Sequence, residues 1–156
     1  MKIISHRGFS DGIDKSIENK PSEIESRIRE GFDVEIDLWV INSRLWLGHN
    51  EGVYKVDIEW LLEYSNFLWI HCKSSESLNF LSNGHFQELN YFFHDTDQYT
   101  ITSKGFIWCY PGTDVVNNSV YLFPEKFSIS SYKLKRHNFS ICTDFPNIYR
   151  EKKFNY

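Results

Sequence analysis

Strand-like and helix-like runs alternate through the first half of this chain, and strand-like runs alone fill the second half. That order predicts βα units feeding a parallel sheet, then strands with little room for helices between them. Residues 2–5 read as a first strand, and 9–20 as a polar loop. A helix is expected from Pro21, with Ile24 and Ile28 on one face and Gly31 at its C-terminal cap. Residues 34–39 alternate strictly, 44–47 return after an Asn42-Ser43 turn, and 67–73 form a further strand. Asp57 caps a short helix through Tyr64, and a helix over 75–83 ends at Gly84. Strands are expected at 90–94, 99–102, 105–110, 120–123 and 139–143. With 156 residues the chain is one domain, 1–156, and it cannot supply eight complete βα units, which take about 250 residues. A barrel lacking several helices, or an open sheet, is what this length permits.

The strand at 34–39 places Glu35 and Asp37 on one face and Val34, Ile36 and Leu38 on the other. If the apolar face packs under helices, the two carboxylates point into the sheet interior, where burying both is costly without compensation. A divalent cation held by both would offset that cost. Solvated acids on an edge strand are the alternative. His71 and Lys73 repeat the pattern on the next strand, sharing a face with Trp69. There His71 could complete a metal site and Lys73 hold a phosphate oxygen, or the pair could be a core histidine and a strand-end charge. His6-Arg7-Gly8 closes the first strand, and Gly48-His49 closes the return strand. Two histidines flanking a substrate can divide the acid and base roles, and Arg7 suits bidentate contact with a phosphate. All these residues fall at or near the C-terminal ends of expected strands, where α/β barrels place their sites.

Composition narrows the function classes. A net charge of −4 gives no support to nonspecific binding of nucleic acid or an anionic membrane. No run of about 18 apolar residues is present, so no membrane span is expected, and no signal-peptide pattern opens the chain. Cys72, Cys109 and Cys142 lie singly in apolar segments without CxxC spacing, which fits buried, reduced thiols and a cytoplasmic protein. Aromatic residues, 17% of the chain, suit either a bulky core or platforms for a ligand.

The order His6-Arg7-Gly8, Glu18-Asn19, Gly31-Phe32-Asp33-Val34-Glu35-Ile36-Asp37 and Gly48-His49 resembles the N-terminal signature of the glycerophosphodiester phosphodiesterase family. The strand bearing Lys73 is similar to that family's Glu-x-Lys strand, and Thr143-Asp144-Phe145-Pro146 to its Thr-Asp-x-Pro segment. The resemblance implies an abridged TIM-barrel-like (β/α) barrel of the phosphatidylinositol-phospholipase-C-like type, with helices missing in the C-terminal half. It implies a metal-dependent phosphodiesterase acting on a small phosphodiester, with His6 and His49 as general acid and base. Glu35 and Asp37 would bind the metal, Mg²⁺ or Ca²⁺ by resemblance. His71 stands where the family's third metal carboxylate is expected, which shifts preference towards Mn²⁺ or Zn²⁺ or weakens binding. Glu125 is the other candidate for the missing ligand. Asn50 follows His49 where Asp is usual, Lys20 replaces a Thr after Glu-Asn, and roughly 100 residues of a full barrel are absent. Two other classes fit the same residues. One is a binding protein of the same fold that recognises a phosphorylated ligand without turnover. The other is a structural subunit whose open barrel edges are covered in a homo-oligomer.

Overall fold

The computed structural model of the chain describes residues 1–127 and 138–151. Within them lie β1 (Ile3–His6), α1 (Pro21–Arg29), β2 (Asp33–Ile41), β3 (Arg44–Leu47) and β4 (Tyr54–Val56). They are followed by α2 (Ile58–Glu63), β5 (Leu68–Cys72), α3 (Ser75–Asn83), β6 (Tyr91–Phe92) and β7 (Tyr99–Ile101). The last are β8 (Ile107–Cys109), β9 (Ser119–Leu122), β10 (Phe139–Thr143) and α4 (Pro146–Glu151).

The local chemistry that starts and stops the helices is simple. Pro21 opens α1 with no side-chain cap from Lys20, and Gly31 follows the helix at φ +91°. Asp57 caps α2 by accepting from the Trp60 N–H. Ser74 and Ser77 form a reciprocal capping box at the start of α3.

The strands join in one mixed sheet. Parallel pairings run β8–β9–β10–β1–β2–β5–β6, while β7 joins β8 antiparallel and the β3–β4 hairpin joins β2 antiparallel. β2 is long enough to take two partners along one edge, β1 over residues 33–35 and β3 over 38–41. β5 runs along its other edge. The sheet curls into a half-barrel. On its concave face Ile4, Trp69, Phe92, Trp108, Val120, Leu122 and Cys142 meet in one cluster. On the convex side of β2 and β5, Val34, Ile36, Leu38, Leu68, Ile70 and Cys72 pack with Ile24, Leu61 and Leu81 from the helices.

The expectation of a TIM-barrel-like (β/α) barrel is therefore corrected. The described residues hold four short helices, and they do not alternate with the strands around the sheet. The cause is connection length. A parallel crossover through a helix needs a dozen or more residues, and only 110–118 separate β8 from β9. Between β6 and β8 the chain spends its length on the antiparallel β7 instead. No helix among the described residues is long and apolar enough to cross a membrane. Cys72, Cys109 and Cys142 are buried and unbridged.

Candidate metal centre and its histidines

The strand register gathers the polar residues at one end of the concave face. Glu35 on β2 lies opposite His6 on β1, and Asp37 lies opposite His71 on β5. One step deeper, Trp69 pairs with Glu35 in register and belongs to the aromatic floor. Glu35 and Asp37 are buried, at 2% and 0% exposure, so the edge-strand alternative does not apply to them.

Three ligand atoms, one each from Glu35, Asp37 and His71, lie within 4.8 Å of one another. Asp37 divides its two oxygens. Oδ2 accepts from Asn19 Nδ2 at 3.0 Å and from His49 Nδ1 at 3.2 Å, and Arg7 Nε approaches it at 3.0 Å. The Arg7 approach is an ion-pair contact rather than an aligned hydrogen bond, since neither Nε nor its N–H finds an acceptor in line. Oδ1 is buried and has no hydrogen-bond partner among the described residues, although His71 Nδ1 stands at 3.2 Å and Lys73 Nζ at 3.4 Å.

His71 explains that arrangement. Its Nε2 lies 2.9 Å from the carbonyl oxygen of His94. A carbonyl only accepts, so Nε2 carries a proton, and in the neutral form of the ring the lone pair is at Nδ1. Nδ1 faces Asp37 Oδ1 at 3.2 Å and Glu35 Oε1 at 3.8 Å. Three potential ligand atoms converge here, with the Lys73 ammonium beside them at 3.4 Å from Asp37 Oδ1. A divalent cation could be held by all three at once, so the residues present fit the metal expected from the sequence.

The two other histidines are held by carboxylates. His6 Nδ1 stands 2.6 Å from Asp144 Oδ1, while its Nε2 turns towards Glu35 Oε2 at 3.8 Å. Asp144 also receives Lys126 Nζ at 3.2 Å, and its backbone N–H donates to Glu125. His49 is set by a tight loop, in which Trp39 Nε1–H donates to the Gly48 carbonyl at 2.7 Å. Gly48 has φ +151°, and a Cβ there would collide with the Glu51 carbonyl oxygen. Arg7 and Asn19 both adopt left-handed backbone at φ +51° and +58°, an arrangement that Asn tolerates but that costs about 1–2 kcal/mol for a residue such as Arg7. It is held by the Arg7 N–H bond to the Glu35 carbonyl and the Asn19 N–H bond to the Arg7 carbonyl.

Burial pushes Glu35 up to about 8, with the neighbouring Asp37 charge adding to it against Arg7 and Lys73. Burial opposes ionisation of Asp37 too, but His49, His71, Arg7 and Lys73 outweigh it and hold Asp37 well below the usual carboxylate range. Burial lowers His6 despite its bond to Asp144. Burial works against the charge on Asp144 as well, yet His6 and Lys126 bring its carboxyl below the ordinary value.

All seven residues expected at the site, His6, His49, Glu35, Asp37, His71, Arg7 and Lys73, thus meet at one end of the half-barrel. Arg7 spends its guanidinium on Glu18 at 2.8 Å and on Asp37. Glu125 is not among the three converging ligands; it accepts from Thr143 Oγ1 and the Asp144 N–H. Trp108 belongs to the aromatic floor. Sequence reasoning missed the roles of Asp144, Asn19 and the His94 carbonyl. The first two stood inside recognisable motifs; the third is a backbone group with no residue signal at all. A hollow of about 410 Å³ lined by Tyr99, Ile101, Ile107 and Val116 lies at the β7 edge and shares no residue with this cluster.

No protein-family model matches this chain, and neither a curated protein nor a solved structure shows significant similarity to it.

Proposed function

We propose that this chain is a metal-dependent phosphodiesterase acting on a small glycerophosphodiester-like substrate. The observation that carries the reading is the convergence of Glu35, Asp37 and His71 within 4.8 Å, flanked by two histidines that each spend Nδ1 on a carboxylate. Glu35, Asp37 and His71 would hold the divalent ion, which when bound draws electron density from phosphoryl oxygens.

Charge supports a phosphodiester. With Glu35 ionised, the carboxylates of Glu18, Glu35, Asp37 and Asp144 face three cations, Arg7, Lys73 and Lys126. The remaining negative charge becomes a single positive one when a divalent ion is added, matching a monoanionic ester. His6 and His49 have their Nδ1 protons committed to Asp144 and Asp37, so each offers Nε2 to the substrate. One takes the proton of the attacking hydroxyl or water while the other, protonated, delivers one to the leaving alcohol. Such a pair contributes typically ~10²–10⁴-fold per proton transfer. Arg7 orders Asp37 and Glu18, and Lys73 would meet a phosphoryl oxygen. The motif order from His6-Arg7-Gly8 to Gly48-His49 supports the likeness to glycerophosphodiester phosphodiesterases.

A second reading, a related protein that binds a phosphorylated ligand without turnover, is favoured by Lys73. Its ammonium stands 3.4 Å from Asp37 Oδ1 and already compensates a metal-ligand oxygen. Phosphodiesterase assays on a panel of glycerophosphodiesters, with Mg²⁺, Ca²⁺, Mn²⁺ or Zn²⁺, separate the two. The enzyme reading expects metal-dependent turnover abolished by Glu35→Ala and by His6→Ala. A folded protein inactive with every metal, yet stabilised by a phosphorylated ligand, establishes the binding reading instead.

A further inference from the structure

We propose that His71 makes this centre selective for a nitrogen-accepting transition-series ion, of the Zn²⁺ and Co²⁺ class, over Mg²⁺ and Ca²⁺. The inference rests on the metal centre proposed above, but not on turnover.

Hard ions such as Mg²⁺ and Ca²⁺ take oxygen ligands almost exclusively, whereas imidazole suits zinc-like ions. Two features commit His71 to ligation. The His94 carbonyl holds Nε2–H at 2.9 Å, which fixes the tautomer and aims the Nδ1 lone pair at the carboxylates. An imidazole anchored through its far nitrogen in this way is the arrangement that orients metal-binding histidines. The ring is also clamped, stacked on Phe92 with centroids 5.2 Å apart and planes 3° from parallel. Phe92 itself is buried in the aromatic floor. Together these contacts hold the ring with Nδ1 turned towards the carboxylates.

The second, independent observation is Asp37 Oδ1. It belongs to a fully buried residue, lacks a hydrogen-bond partner and points into the same space as His71 Nδ1. One nitrogen and two carboxylate oxygens, converging beside the buried aromatic side chains of Trp69 and Phe92, form a mixed donor set of low coordination number. That set suits a tetrahedral N/O centre with an open position.

The experiment uses the full chain stripped of metal and titrated with Zn²⁺, Co²⁺, Mg²⁺ and Ca²⁺, reading affinity by calorimetry and the melting temperature in parallel. Zn²⁺ and Co²⁺ are expected to bind at least tenfold tighter than Mg²⁺ or Ca²⁺, and His71→Glu is expected to reduce that ratio at least tenfold. Should His71→Glu fail to fold, the wild-type protein loaded with Co²⁺ answers the question. Its proton NMR spectrum should contain one paramagnetically shifted imidazole N–H resonance, the proton held on His94. Equal affinity for Mg²⁺ or Ca²⁺, an unchanged ratio in His71→Glu, or the absence of that resonance would overturn the inference. An inactive protein that binds Co²⁺ through His71 leaves it standing while removing the hydrolase reading. An active protein whose metal preference ignores His71 does the reverse.

Discussion

Asp144 Oδ1 lies 2.6 Å from His6 Nδ1, joining a residue on the first strand to one just beyond the last. The contact exists because β1 pairs with β10, Ser5 opposite Thr143. Since Asp144 is held ionised by His6 and Lys126, it accepts, and His6 keeps its proton at Nδ1. Asp144→Asn should leave the fold and metal affinity intact but lower kcat by about 10²-fold, as loss of an orienting partner does. Nitrogen NMR of His6 reads the tautomer directly, and unchanged kcat with an unchanged tautomer would remove Asp144 from this positioning role.

Lys73 and a bound metal compete for Asp37 Oδ1, which lies 3.4 Å from the ammonium. Lys73→Ala should therefore bind Zn²⁺ more tightly, by about tenfold, while phosphodiester turnover falls. Calorimetry and steady-state kinetics on the same variant give both quantities. Weaker metal binding in that variant would mean Lys73 supports the centre rather than opposing it.

Stability of the metal-free protein should fall between pH 6.5 and 8. Glu35 keeps its proton in the folded state up to about 8, against an ordinary value of 4.5, so raising the pH through this range favours the unfolded chain. His6 acts with the opposite slope, but only below its ordinary 6.5, because its folded value is lowered. From pH 6.5 upward Glu35 is the one of these two that changes, and the expected loss is about 2 kcal/mol. Urea denaturation in a chelator measures it. Glu35→Gln should flatten the slope, and a wild-type profile already flat above pH 6.5 would contradict a buried, protonated Glu35.

Gly48→Ala should destabilise the protein by about 2 kcal/mol, since φ +151° is costly for any other residue and the Glu51 carbonyl occupies the space a Cβ needs. The melting temperature should drop by roughly 5 °C, and His49 should lose its bond to Asp37. A variant as stable as wild type would show that the 48–51 turn can be rebuilt.

Much of the candidate site was legible because strand alternation is a local signal. Val34 to Leu38 needs no tertiary information to put Glu35 and Asp37 on one face, and His71 and Lys73 follow the same rule on β5. What the sequence could not disclose depends on pairings across long separations. Asp144 was visible as part of a Thr-Asp-x-Pro segment, but its partnership with His6 required the β1–β10 register. Glu125 looked eligible as a metal ligand by residue type, yet a turn after β9 delivers it to Thr143 and the Asp144 N–H. The architecture failed for a related reason. Sparse helices in the second half were expected, but a barrel was still inferred by resemblance, and the antiparallel additions β3, β4 and β7 make a mixed sheet instead. The β4 strand and helix α4 also went unread, being three and six residues of weak pattern.

The order β1–β2–β5 in the sheet has a consequence for how this molecule can vary. His6, Arg7, Glu35, Asp37, His71 and Lys73 all lie on three adjacent strands or one residue beyond them, and His49 follows a hairpin hydrogen-bonded to the middle one. Their mutual positions are fixed by backbone ladders within that narrow arc. Apart from the Asp144 brace, Asn19, and the Phe92 and His94 that hold His71, the remaining wall carries none of these contacts and is freer to lengthen, shorten or exchange helices for hairpins. The half-barrel is in effect a keystone of three strands with an interchangeable surround.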